Sequence, residues 1–183
     1  MAFECLEKSA ELNNPAALSF LGLTYLNGEF QVKKDYKKAR EYLEKAAELN
    51  ESNAILNLGI IYLNGLGVEK NESKSLKLLK KSADMNNNKA LYNLGVLYEK
   101  GQILEQNFLK AIEYYELSAK QNNPNALNSL GKIYFLGLGV EINYLKAKEK
   151  FELALEYKNI ESANYLGAIY EFGYGVEQDF SKA

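Results

Sequence analysis

The chain has 183 residues, 47% of them apolar, enough for one ordinary domain or a short solenoid, and its 22 Lys and Arg against 24 Asp and Glu leave a net charge of −2. That balance lacks the basic excess needed for broad electrostatic binding to nucleic acid or an anionic membrane, so neither is an expected partner. The absence of histidine removes the commonest general base and zinc ligand, and the lone Cys5 cannot form an internal disulfide.

Residues 1–14 read as the second helix of an incomplete unit, because "AFECLEKSAELNN" matches "AREYLEKAAELNE" from Ala39. Four units follow over 15–51, 52–87, 88–123 and 124–159, with a partial fifth over 160–183, together one repeat domain over 1–183. Their marker is Leu-Gly-x-x-Tyr, with glycines Gly22, Gly59, Gly95, Gly131 and Gly167 at steps of 37, 36, 36 and 36 residues. A fixed period of this length is the signature of stacked helical units. A small residue stands five places before each glycine (Ala17, Ala54, Ala90, Ala126, Ser162) and a tyrosine three places after it (Tyr25, Tyr62, Tyr98, Tyr134, Tyr170).

In each unit the first half has apolar positions at intervals of three and four, as in Ile55, Leu58, Gly59 and Tyr62, which predicts an amphipathic helix, helix A. Glycine inside a helix costs about 1 kcal/mol against alanine, so the recurrent one implies close approach of a second helix. Helix A then ends in a glycine turn such as "NGLGVE", and Val32, Val68, Leu104, Val140 and Val176 plug it. Asp35, Asn71, Asn107, Asn143 and Asp179 follow three residues later as N-caps of helix B. Leu43, Leu79, Tyr115 and Phe151 occupy the middle of helix B, and asparagines at 50, 86–88, 122 and 123 predict its left-handed stop. Pro15 and Pro124 fall at the start of helix A, where a missing amide proton costs little. All 13 glycines belong to the motif or its turn, so none is left for a phosphate loop.

These residues resemble the Sel-one-like repeat family, a branch of the tetratricopeptide-like helical solenoids. The resemblance covers almost the whole chain and implies an all-α fold, a right-handed α-α superhelix of antiparallel helix pairs. Departures are local: one extra residue in the first turn ("NGEFQV"), no second glycine in the third ("KGQILE"), and Lys150 where Tyr42, Leu78 and Tyr114 stand elsewhere. Both ends fall mid-unit, which raises a fragment of a longer array or a homo-oligomer joined through uncapped ends.

The resemblance also implies that helix A lines the concave face, so the candidate binding residues lie in columns three before, one after and four after the glycine. They are Leu56, Tyr92 and Asn128; Leu23, Ile60, Val96 and Lys132; and Leu26, Leu63 and Phe135, joined by Asn57 and Asn93 two before the glycine. If exposed, Leu23, Leu26, Ile60 and Leu63 form an apolar patch for a partner helix or extended segment, each anchor contributing roughly 1.5 to 3 kcal/mol before ordering costs. If they pack on neighbouring helices, they are core. Lys70, Lys74, Lys77, Lys80 and Lys81 read as a solvated face.

The expected function is a non-enzymatic scaffold or adaptor for a protein or peptide partner, with no catalytic residue, metal or cofactor. A β-lactamase-like or penicillin-binding activity, ascribed to cysteine-rich relatives, is the enzymatic alternative; its only Ser-x-x-Lys is Ser129 to Lys132. A self-associating structural solenoid is the third reading. No apolar run approaches the length of a membrane span, and the expected location is the cytoplasm, or a secreted or periplasmic one if a signal peptide precedes this segment.

Overall fold

A computed structural model describes residues 2–183, with the side chains of residues 3–183. The described residues form ten helices: α1 (Ala2–Glu11), α2 (Pro15–Asn27), α3 (Tyr36–Glu48), α4 (Ser52–Asn64), α5 (Glu72–Asp84), α6 (Asn88–Lys100), α7 (Phe108–Ala119), α8 (Pro124–Leu136), α9 (Tyr144–Glu156) and α10 (Glu161–Phe172). The chain divides into two compact units, Met1–Ala90 and Leu91–Ala183. Even-numbered helices are the A helices and odd-numbered ones the B helices.

Local chemistry sets the boundaries. Asp35, Asn71, Asn107 and Asn143 each accept the N–H three residues on, satisfying an orphan donor of the helix B first turn. The N–H of each of these caps, and of Asp179, in turn donates to the carbonyl of the motif tyrosine, at 2.8–3.0 Å. The turn is thus closed on the residue that marks the repeat. A lysine three residues after each cap lies over the same tyrosine ring: Lys38 over Tyr25, Lys74 over Tyr62, Lys110 over Tyr98, Lys146 over Tyr134 and Lys182 over Tyr170, at 3.9–5.4 Å from the centroid. Part of the basic run in and just before α5 therefore has a packing role, and all five of its lysines are exposed.

Helix B ends as expected at left-handed Asn50, Asn86 and Asn122, whereas Lys158 takes that conformation (φ 70) where the fourth unit lacks an asparagine. The longer first turn places Phe30 and Gln31 in the left-handed region, φ 53 and 63, in the space one glycine fills elsewhere.

In the first unit, α2 packs on α3 and α4 on α5. Leu18, Leu21, Leu43, Ala46, Ala54, Leu58 and Ile61 form the core, with Phe3 and Leu6 of α1 packed against it. In the second unit α8 packs on α7 and α9, and α9 on α10. Its core is built around rings: Tyr115 with Leu130 and Ile133, then Phe151 with Leu166 and Ile169. The motif glycines make these approaches possible. A Cβ on Gly59 would lie 3.1 Å from Leu79, and one on Gly131 would lie 2.5 Å from the Phe151 ring.

Candidate partner-binding face

The twelve candidate residues fall into three settings. Leu23, Leu56 and Asn57 come together in the first unit, lining a groove of about 300 Å³ with Ala16, Ser19, Phe20, Glu51, Asn53 and Lys89. Leu56 and Asn57, both candidate binding residues, are its buried floor, at 3% and 8% exposure, with little of either side chain open. Phe20 stands open beside them at 44% exposure and reaches the exposed Phe30 ring, centroids 5.8 Å apart. Ile60 and Leu63 are half-buried. Leu26 packs against the first core.

The charged groups of the groove are unequal. Glu51 caps α4, its carboxylate accepting Ala54 N–H at 2.6 Å and the Asn53 side-chain amide at 3.0 Å. Lys89 is exposed in the first turn of α6.

In the second unit the polar groups of the same helix A face are paired with one another. Asn128 is only 4% exposed; its amide donates to Glu161 at 2.9 Å and its carbonyl accepts the Ser162 hydroxyl at 3.0 Å. Glu161 also pairs with Lys132 at 3.4 Å. Partial burial alone would pull the Lys132 pKa down, but Glu161 outweighs it and holds the ammonium above its ordinary range. Ser129 is hydrogen-bonded with Tyr92 and Tyr115, and Tyr115 donates to Glu99. Desolvation raises both tyrosine pKa values, and Glu99 raises them further by repelling a phenolate.

Phe135 is half-buried against the core and not a freely open anchor: its ring meets Tyr144, Phe151, Tyr165 and Tyr174 at 5.4–6.4 Å. Tyr92 and Val96 likewise pack on the core around Tyr115. Asn93 is half-buried. The Ser129–Lys132 pair thus offers a hydrogen-bonded hydroxyl and a charged amine. A lysine in that state has no lone pair with which to take a proton.

Phe20 and Lys89 were missed as candidates. Phe20 occupies the column of Asn57 and Asn93, two before the glycine. Lys89 is legible as a cation in a helix first turn, where the macrodipole disfavours it. Among the described residues no group of His, Cys, Asp and Glu is placed to hold a metal ion, and no helix is long and apolar enough to cross a membrane.

The Sel1 repeat pattern matches residues 1–14, 15–51, 52–87, 88–123, 124–156 and 160–183. Among solved structures, a Sel1 repeat protein from Oxalobacter formigenes is 32% identical at a TM-score of 0.87, the match covering 93% of this chain and 69% of that one. A protective antigen of uropathogenic Escherichia coli with an SLR fold is 33% identical at a TM-score of 0.84, over 96% of this chain and 38% of that one. The chain thus spans well under half the length of that antigen. Cysteine rich protein B of Helicobacter pylori is 30% identical at a TM-score of 0.57, over 73% of this chain and 96% of its own. No curated protein matches the chain.

The all-α class of stacked helix pairs expected from the sequence is the one found. Proteins of this repeat type commonly serve as protein-interaction scaffolds and are generally not enzymes. By the pattern over nearly its full length and the identity to solved relatives, the chain belongs to the Sel1 repeat family.

Proposed function

We propose that the chain is a non-enzymatic interaction scaffold that receives a segment of another protein on the helix A face of its first unit. The observation that carries this reading is the groove itself. Leu23, Leu56 and Phe20 offer apolar surface there, and Asn57 and Asn53 offer polar groups, which is the mixture a peptide site needs. The ion-paired Lys132 and hydrogen-bonded Ser129 support the non-enzymatic part, since neither is poised to act as base or nucleophile. Purified protein is therefore expected to leave a chromogenic cephalosporin intact. The proposed location is the cytoplasm, with which the single thiol is compatible, or a secreted or periplasmic one if a signal peptide precedes this segment.

A random peptide library displayed on phage, panned against the protein, tests the groove. Enriched peptides should bind the wild type and lose binding to Phe20→Ser and Leu23→Ser variants whose circular dichroism is unchanged. Retention of binding by both variants would place the site elsewhere.

A further inference from the structure

The repeat supplies its own control for the groove. Glu161 and Lys89 occupy one register, 72 residues apart, immediately before the small residue of the motif; Asn128 and Leu56 share a second register, as do Lys132 and Ile60. In the second unit the carboxylate at this register is consumed within the chain, by the Asn128 amide and the Lys132 ammonium. In the first unit the register carries a cation in place of an anion, and the two positions facing it in sequence are aliphatic. Among the described residues Lys89 has no ion pair. Its position in the first turn of α6 also sets it against the partial positive charge of the helix start, which strengthens the pull on an anion. Glu51, the other charge lining the groove, is spent on the α4 cap. Besides the capping Glu51, no carboxylate lines this apolar groove, and Lys89 has none to pair with among the described residues.

We propose that the groove of the first unit selects a short peptide segment in which a large apolar side chain stands next to an Asp or Glu. The apolar side chain enters between Phe20, Leu23 and Leu56, and the carboxylate pairs with Lys89. The partner thus provides from outside what Glu161 provides from within the second unit. This assignment rests on the groove reading above and adds the chemistry of the occupant. The open volume of about 300 Å³ is at the small end of ligand pockets and suits a side chain or two in place of a whole helix.

The decisive experiment is parallel panning of one random peptide library in low-salt buffer on four proteins: wild type, Lys89→Glu, Phe20→Ser and Leu23→Ser. Wild type should enrich peptides with Asp or Glu adjacent to Leu, Ile, Met or Phe. Synthetic copies should bind Lys89→Glu roughly three- to tenfold more weakly, the scale of a partly exposed ion pair turned into a repulsion. Lys89→Glu should itself enrich Lys or Arg at the acidic position. Peptides lost on Phe20→Ser or Leu23→Ser but indifferent to Lys89→Glu would overturn the acidic assignment and leave the groove standing. Peptides indifferent to all three variants, or no enrichment at all, would overturn both. A dimer seen on sedimentation across a dilution series and abolished by Lys89→Glu would assign the groove to a second copy of this chain, against the proposal.

Discussion

Leu56 and Asn128 hold the same place in the repeat, yet the two units use that place in opposite ways. In the second unit the helix A face pairs its own polar groups, Asn128, Glu161, Lys132 and Ser162, and gathers rings around Phe135. In the first unit the same face keeps an open groove over Leu23 and Leu56, with Phe20 and Lys89 at its sides. A repeat fixes where helices begin, end and cross. It leaves the residues between those points free to close a face or to offer it.

The sharpest way to break this contrast is truncation of one residue from each face. Phe135→Ala should cost about 3 kcal/mol, because the ring fills space shared with four others. Leu23→Ala, taken from an open groove, should cost less than about 1 kcal/mol. Urea unfolding of both variants measures the difference; equal losses would mean the first-unit face is as packed as the second.

The motif glycines give a second contrast. Gly131→Ala should destabilise by about 1–2 kcal/mol, since its Cβ would meet a Phe151 ring that already stacks on Tyr165 at 4.7 Å between centroids and cannot yield. Gly59→Ala should fall within about 0.5 kcal/mol of neutral, because Leu79 can move a few tenths of an ångström and alanine regains helix propensity. Thermal unfolding of the pair checks the order.

A stabilising substitution is expected in the first unit. The Thr24 hydroxyl is buried without a partner, in a register that Ile61, Leu97, Ile133 and Ile169 fill elsewhere. Thr24→Val should stabilise by about 1 kcal/mol, read as a raised urea midpoint.

The smallest effect is alkaline. Tyr92 and Tyr115 have raised pKa values in the folded second unit, so folding favours their neutral forms. Their contribution is complete below the unfolded tyrosine pKa of about 10 and declines as pH climbs from there towards the folded values. Between pH 8 and 10.5 only the start of that loss is reached. Tyr115→Phe should flatten the fall of the urea midpoint over this interval, and an unchanged slope would remove Tyr115 from the account.

Much of the fold was legible because it rests on short-range chemistry. A cap such as Asn71 needs only its own side chain and an N–H three residues on, and Asn86 takes the left-handed stop by local sterics. The same reasoning missed Glu51 as a cap, since its longer side chain reaches the N–H less often than aspartate does. It also left Lys158 unforeseen, where helix B ends left-handed without asparagine or glycine. The site was harder. Phe135 shares its column with the charged Glu99 and Glu171, yet Tyr144, Tyr165 and Tyr174 converge on it from other segments. Leu56 and Asn57 are buried, which the apolar and amide character of their columns does not announce.

By itself the sequence determined the period, the helix starts and stops, the turn glycines and the close contact between Gly131 and the middle of helix B, because each follows from backbone sterics or from a partner at fixed spacing. Only the tertiary structure decided which side of the repeat is spent on itself. Whether Lys132 meets a carboxylate, or Lys89 meets none, depends on residues about 30 positions away or more, and packing, not spacing, brings those together.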